Sequence, residues 1–163
     1  MNSELFLVRE STRIVYGEDA FSSEKALIKA QFIAELNEQL RYPLSSIQMD
    51  VFVWVRDIGF EQIDVVFRND QGDIVIVAAL EVPREYERRQ TIAMRSLYIK
   101  ASVLNETERV CFLTYYTRRY YKGVFYREQL VVDYLAYPTY YAWQKARFPL
   151  VGMLPAYITN KEE

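Results

Sequence analysis

The sequence predicts an α/β sandwich, a central mixed β-sheet flanked by helices. Three observations carry this. A helix-periodic segment comes first, followed by segments that alternate with period two. One later run, Asp73–Val82, is apolar nearly throughout and reads as a central strand. A second helical segment then separates that run from a return strand at Arg109–Tyr116.

The elements follow in order. Leu5–Val8 and Arg13–Tyr16 suggest a short N-terminal hairpin or extended arm. Ser22–Arg41 reads as a helix, with Ser22 or Ser23 as its cap and Leu27, Ala30, Ile33, Ala34, Leu36 and Leu40 at helical spacing. Tyr42-Pro43 stops it, because a residue before proline avoids the α region. In Ile47–Arg56 the side chains of Ile47, Met49, Val51, Val53 and Val55 share one face; Gln48, Asp50, Phe52, Trp54 and Arg56 share the other. Gln62–Arg68 is a second strand and Asn69-Asp70-Gln71-Gly72 has turn chemistry. Pro83 suits the first turn of a helix that runs to about Ser102, with Ile92, Ala93, Leu97 and Ala101 inward. Gly123–Val132 supplies a further strand, and Pro138 opens a last helix through Ala146.

The chain has 163 residues, 51% apolar and 26% charged, which fits one domain with a sizeable core. It has no histidine and one cysteine, Cys111. That excludes histidine-based acid–base chemistry, histidine-ligated metals, an internal disulfide and a cysteine-ligated zinc. Carboxylates, lysine, tyrosine, hydroxyls and oxygen-bound metals remain. The start, Met1-Asn2-Ser3-Glu4, lacks the pattern of a signal peptide, and no uncharged apolar stretch is long enough to span a bilayer. The expectation is a cytoplasmic protein. A net charge of -2 argues against a generally basic coating protein but leaves room for a local basic groove.

Two strand segments carry one carboxylate each: Asp64 in Gln62–Phe67 and Glu81 at the end of Asp73–Val82. Burying an unpaired carboxylate is expensive, so two in neighbouring strands suggest a cation site. A hairpin with a two-residue loop at Gln71-Gly72 pairs Asp64 with Ala79 and puts Glu81 on the same face. The separation is then roughly 6.6 Å of strand rise, within reach of one hard cation. A loop at Asp70-Gln71 keeps them on one face. A three-residue loop without a bulge separates them. Asp50 is a third acidic candidate, or a plain solvent-facing residue. The competing reading is that Asp64 and Glu81 are ordinary strand-end charges.

The order of pieces adds to this. Glu35–Ile47, with Tyr42-Pro43, resembles the helix end and Tyr-Pro turn of the N-terminal nuclease domain of type I restriction enzyme R subunits. Asp50–Val53, Ile63–Val66, Ile74–Glu81 and Val110–Thr114 fall in that family's order, and the similarity spans roughly residues 24–125. The resemblance implies a restriction-endonuclease-like fold of the PD-(D/E)xK type. It implies Asp64 and Glu81 as catalytic metal ligands for Mg²⁺ or Mn²⁺, with the Val82 carbonyl beside them, and DNA as the substrate. Gln90 looks similar to the glutamine of the family's Gln-x-x-x-Tyr helix motif. Three features depart. Glu81-Val82-Pro83 has proline where the motif has lysine, Met94 stands at the tyrosine, and Tyr115-Tyr116 follows Thr114 instead of Asn-Gly. Arg84 is next in line, but an arginine cannot act as a base and leaves the strand in another direction. Lys100 is the nearest downstream lysine, and nothing in the spacing brings it to the acids. The family pattern with these departures implies either divalent-metal-dependent phosphodiester hydrolysis or a degenerate nuclease fold that binds or assembles.

Twelve of the fourteen tyrosines lie from Tyr86 onward. In Tyr115–Lys122 they interleave with Arg118, Arg119 and Lys122, as in single-stranded nucleic-acid binding. The same run fits a β-hairpin with good cross-strand pairs, or a protein interface, and that reading is the plainer one. Arg84, Arg88 and Arg95 also offer DNA contacts, though Glu85, Arg88 and Arg89 are spaced as surface ion pairs. Tyr134–Trp143 is rich enough in aromatics to seat the C-terminal segment on the sheet, or to support self-association where exposed.

Overall fold

A computed structural model describes residues 23–158. The N-terminal hairpin, and Ser22 as a cap, lie outside these residues. Ser23 caps the first helix, α1 (Glu24–Glu38), its hydroxyl accepting from the Ala26 amide at 3.0 Å. The helix ends three residues before the expected Arg41, which takes a left-handed φ of 68° and turns the chain into Tyr42-Pro43. A 3₁₀ turn at Leu44–Ser46 leads into the sheet.

Five strands follow: β1 (Ile47–Val55), β2 (Gly59–Arg68), β3 (Ile74–Leu80), β4 (Val110–Tyr121) and β5 (Val124–Asp133). They lie side by side in chain order. The β1–β2, β2–β3 and β4–β5 pairs are antiparallel, and β3–β4 is parallel. The parallel step needs a crossover. It is made by a single turn, α2 (Pro83–Tyr86), and then α3 (Gln90–Leu104). The mixed α/β architecture and the order α-β-β-β-α-β agree with the sequence expectation. A last short helix, α4 (Tyr140–Lys145), is capped by Thr139 rather than opened by Pro138.

The sheet has a hydrophobic layer on each face. On one, Ile28, Phe32, Ile33 and Leu36 of α1 meet Val65, Phe67, Ala78 and Tyr116. On the other, Met94, Leu97, Tyr98 and Ala101 of α3 meet Ile63, Val66, Val77 and Leu113. Ile92, expected inward, is 62% exposed, whereas Leu97 and Ala101 are buried as expected and Met94 and Tyr98 join them. β4 is longer than expected and carries the tyrosine-rich run into a hairpin with β5, turned at Lys122-Gly123. Lys122 and Gly123 both take positive φ, as a tight antiparallel turn requires.

β1 does not keep one apolar face. Ile47 packs on the α1 layer, whereas Val51, Val53 and Val55 pack on the α3 layer. The strand turns over at Asp50, which has a φ of 53°. Beyond it Phe52, Trp54 and Phe60 are left exposed, with Trp54 and Phe60 edge to face at 5.0 Å.

The tyrosines mostly pack. Tyr86 and Tyr115 stack with ring centroids 4.4 Å apart, and each hydroxyl donates to the other's backbone carbonyl. Burial pushes both phenols well above their ordinary pKa, so they remain neutral donors. The Tyr98 hydroxyl holds the Tyr137 carbonyl at 2.9 Å, and the Trp143 indole holds that of Pro149. Removing either hydroxyl of the stacked pair leaves a buried carbonyl without its donor. Tyr86→Phe and Tyr115→Phe are each expected to cost about 1–3 kcal/mol in urea unfolding. Wild-type stability in both variants would show that the reciprocal bonds contribute nothing.

Candidate functional site

Asp64, midway along β2, and Glu81, just past β3, come to neighbouring levels of the sheet, but not by the simplest loop. Arg68 pairs with Ile74, leaving five residues in the turn rather than two. An odd loop alone would separate the acids. A register shift between Phe67 and Arg68 restores the alignment, so Val66 meets Val77 and Val65 meets Ala78. The turn is built by Asn69, whose side-chain carbonyl accepts from the amides of Gln71 and Asp73. The pairing runs to Val65–Ala78, one position short of the Asp64–Ala79 pair that the sequence suggests. There the Asp64 carboxylate replaces a ladder carbonyl and accepts the Leu80 amide at 2.8 Å. That brings it beside the residue preceding Glu81.

Each acid then turns to a cation of its own. Lys25 of α1 lies 3.2 Å from Asp64. Arg89, just before α3, lies 3.2 Å from Glu81, whose other oxygen accepts the Val82 amide. The two partners come from opposite layers. The Val82 carbonyl accepts the Glu85 amide at the start of α2. Asp50 lies across from Asp64, between the Met49–Val65 and Val51–Ile63 pairs, and binds Lys29 at 2.6 Å.

Lys100 does approach this region. Its ammonium group donates to the Gln62 carbonyl at 2.6 Å. Burial lowers its pKa, the charges of Asp64 and Glu61 oppose that shift, and Lys25 adds to it. α3 therefore brings to Asp64 a lysine that its sequence distance had seemed to exclude.

Among the described residues no three acidic or cysteine side chains gather to hold a metal ion. In this arrangement Asp64 and Glu81 each face a protein cation, and the Val82 carbonyl accepts the Glu85 amide.

The remaining predicted contacts are dispersed. Arg84 is exposed and 3.6 Å from Glu24, and Arg88 pairs with Glu85 as its spacing indicates. Arg89, which the same spacing had paired with Glu85, goes to Glu81 instead. Gln90 is the first residue of α3 and half-buried. Arg118, Arg119 and Lys122 lie together on the β4–β5 hairpin, with Arg119 bound to Glu128 and Lys122 over the Tyr121 ring. Sequence reasoning missed Lys25, Lys29 and Arg89. The four-residue spacing of the two lysines in the first half of the helix was the available signal.

Compared with known proteins, the sequence matches no family profile and no curated protein.

The coupling between Asp64 and Lys100 can be read directly. In protein whose lysines carry ¹³C-methyl groups, Lys100 is expected to titrate below the other lysines. Asp64→Asn should lower it further, because the charge that opposes desolvation is gone. An unchanged Lys100 titration in that variant would separate the two groups.

Proposed function

We propose that this chain is a nuclease-fold domain of restriction or defence type that binds DNA without cutting it. The observation that carries this is the closure of its acidic pair. Asp64 stands midway along β2 and Glu81 just past the end of β3, yet Lys25 and Arg89 neutralise them separately. Pro83 in the tripeptide offers neither a charge nor a proton, and it begins α2 instead. The order α-β-β-β-α-β and the antiparallel meander before the crossover support the restriction-endonuclease-like reading.

For DNA the surface offers exposed Arg84 and Arg88 and the cations of the β4–β5 hairpin. Their partial pairing with acids suits modest, salt-sensitive phosphate contacts. Exposed Tyr120, Tyr121 and Tyr126 on the same hairpin, and Tyr141 beyond it, also suit a protein partner or a second copy of the chain. Among the described residues no helix is long and apolar enough to cross a membrane.

The Lys25 contact also favours a second reading, that of an active, divalent-metal-dependent nuclease. It brings an ammonium group to Asp64 where Pro83 provides none.

Plasmid DNA with Mg²⁺ or Mn²⁺ separates the two. The first reading expects a mobility shift that weakens as salt rises, and no nicking by wild type or Asp64→Ala. Metal-dependent nicking that disappears in Asp64→Ala and Lys25→Ala would establish the second. No binding at low salt would end the DNA reading altogether.

A further inference from the structure

A cleft of about 470 Å³ lies between α1, Pro83 and the outer half of the β4–β5 hairpin. Glu24, Leu27, Gln31, Arg118, Tyr120 and Phe125 are among the residues that line it. Its size falls within the range of small-molecule sites. Two of its polar atoms are unpartnered. Gln31 is only 1% exposed, and its side-chain nitrogen finds no acceptor among the described residues. The Arg118 Nε is buried and likewise without one. Thr117 Oγ1 and Gln129 Oε1 of the same hairpin are unpartnered too, and neither bonds to these donors. Buried donors are nearly always satisfied, so the two along the cleft leave a place for a further acceptor.

The charges indicate what kind. The neighbouring arginines are already engaged, Arg119 by Glu128 and Arg127 by Glu35. The lining acid, Glu24, is taken by Arg84. Arg118 keeps its charge, with the Phe125 ring 5.8 Å away. The cleft therefore combines an uncommitted guanidinium, an amide donor and aromatic walls. An occupant needs an anionic group, a carbonyl or ring-nitrogen acceptor, and a flat body that stacks on Phe125 or Tyr120.

We infer that this cleft takes one nucleotide unit, its phosphate on Arg118 and its base against the aromatic wall with an acceptor edge on Gln31. Nucleotides meet all three demands, and bases stack on aromatic side chains without regard to sequence. The choice of a nucleotide over another anionic ring rests on the DNA-binding reading above.

The test uses thymidine 5′-monophosphate, thymidine and inorganic phosphate, each titrated into the ¹⁵N-labelled protein. The nucleotide is expected to shift the Gln31 side-chain amide and to bind more tightly than either fragment. Arg118→Gln should weaken it about tenfold, the loss of a charge-assisted contact. Gln31→Leu should weaken it less while leaving the fold intact by circular dichroism. Binding unchanged in both variants would overturn the site. So would shifts spread over exposed cations with the Gln31 amide unmoved, or inorganic phosphate binding as tightly as the nucleotide. Duplex DNA is titrated alongside. DNA binding without nucleotide at Gln31 rejects the cleft alone, and nucleotide at Gln31 without DNA binding rejects the broader reading alone.

Discussion

Asp50 and Asp64 stand across from each other in adjacent strands, where like charges repel. The surrounding structure is arranged to hold them. α1 places Lys25 and Lys29 one turn apart, one against each carboxylate. Asp64 also accepts the Leu80 amide and so joins β2 to the end of β3. At this level both β1 and β2 change which layer they face: Ile47 and Val65 pack on α1, while Val51 and Ile63 pack on α3. The charge arrangement thus lies where the docked α1, the turnover of β1 and the end of β3 meet. Isolated surface ion pairs contribute little, but this one is tied to a backbone hydrogen bond and a change of strand face.

Much of the fold was legible in the sequence because period and punctuation agreed with tertiary structure. The α1 segment, the β2–β3 hairpin and the crossover all followed from apolar spacing and from Tyr42-Pro43, Asn69–Gly72 and Pro83. What failed was alternation read as a fixed face. Ile47–Val55 alternates cleanly, yet one residue at φ 53° reverses it. No single-residue propensity reveals such a turnover. Ile92 failed because it lies off the stripe of Ala93, Leu97 and Ala101, whose four-residue spacing it does not share.

The candidate site was half legible. The β2–β3 register was legible as far as Val65–Ala78 although its turn was longer, because the bulge at Phe67/Arg68 compensates. The cations were not legible. Lys25, Arg89 and Lys100 arrive from three different stretches of chain, and only packing of both helical layers brings them to this part of the sheet. The basic and aromatic run at Tyr115–Lys122 resolved into two roles. Its first half packs between the layers, and its second half forms an exposed hairpin with the Gln31–Arg118 cleft beside it.

The proline of the broken tripeptide suits this chain on two counts. It starts the α2 turn that the crossover needs, and it leaves Glu81 to Arg89. A domain so arranged keeps a mixed sheet flanked by helices while its acids pair with cations of its own. The most direct test is a crystal structure from crystals soaked in Mn²⁺, with anomalous scattering measured around Asp64 and Glu81. With the acids held this way, the expected result is no manganese peak between Asp64 and Glu81, with Lys25 and Arg89 in their ion pairs. A strong peak ligated by both carboxylates, with Lys25 and Arg89 displaced, would contradict it.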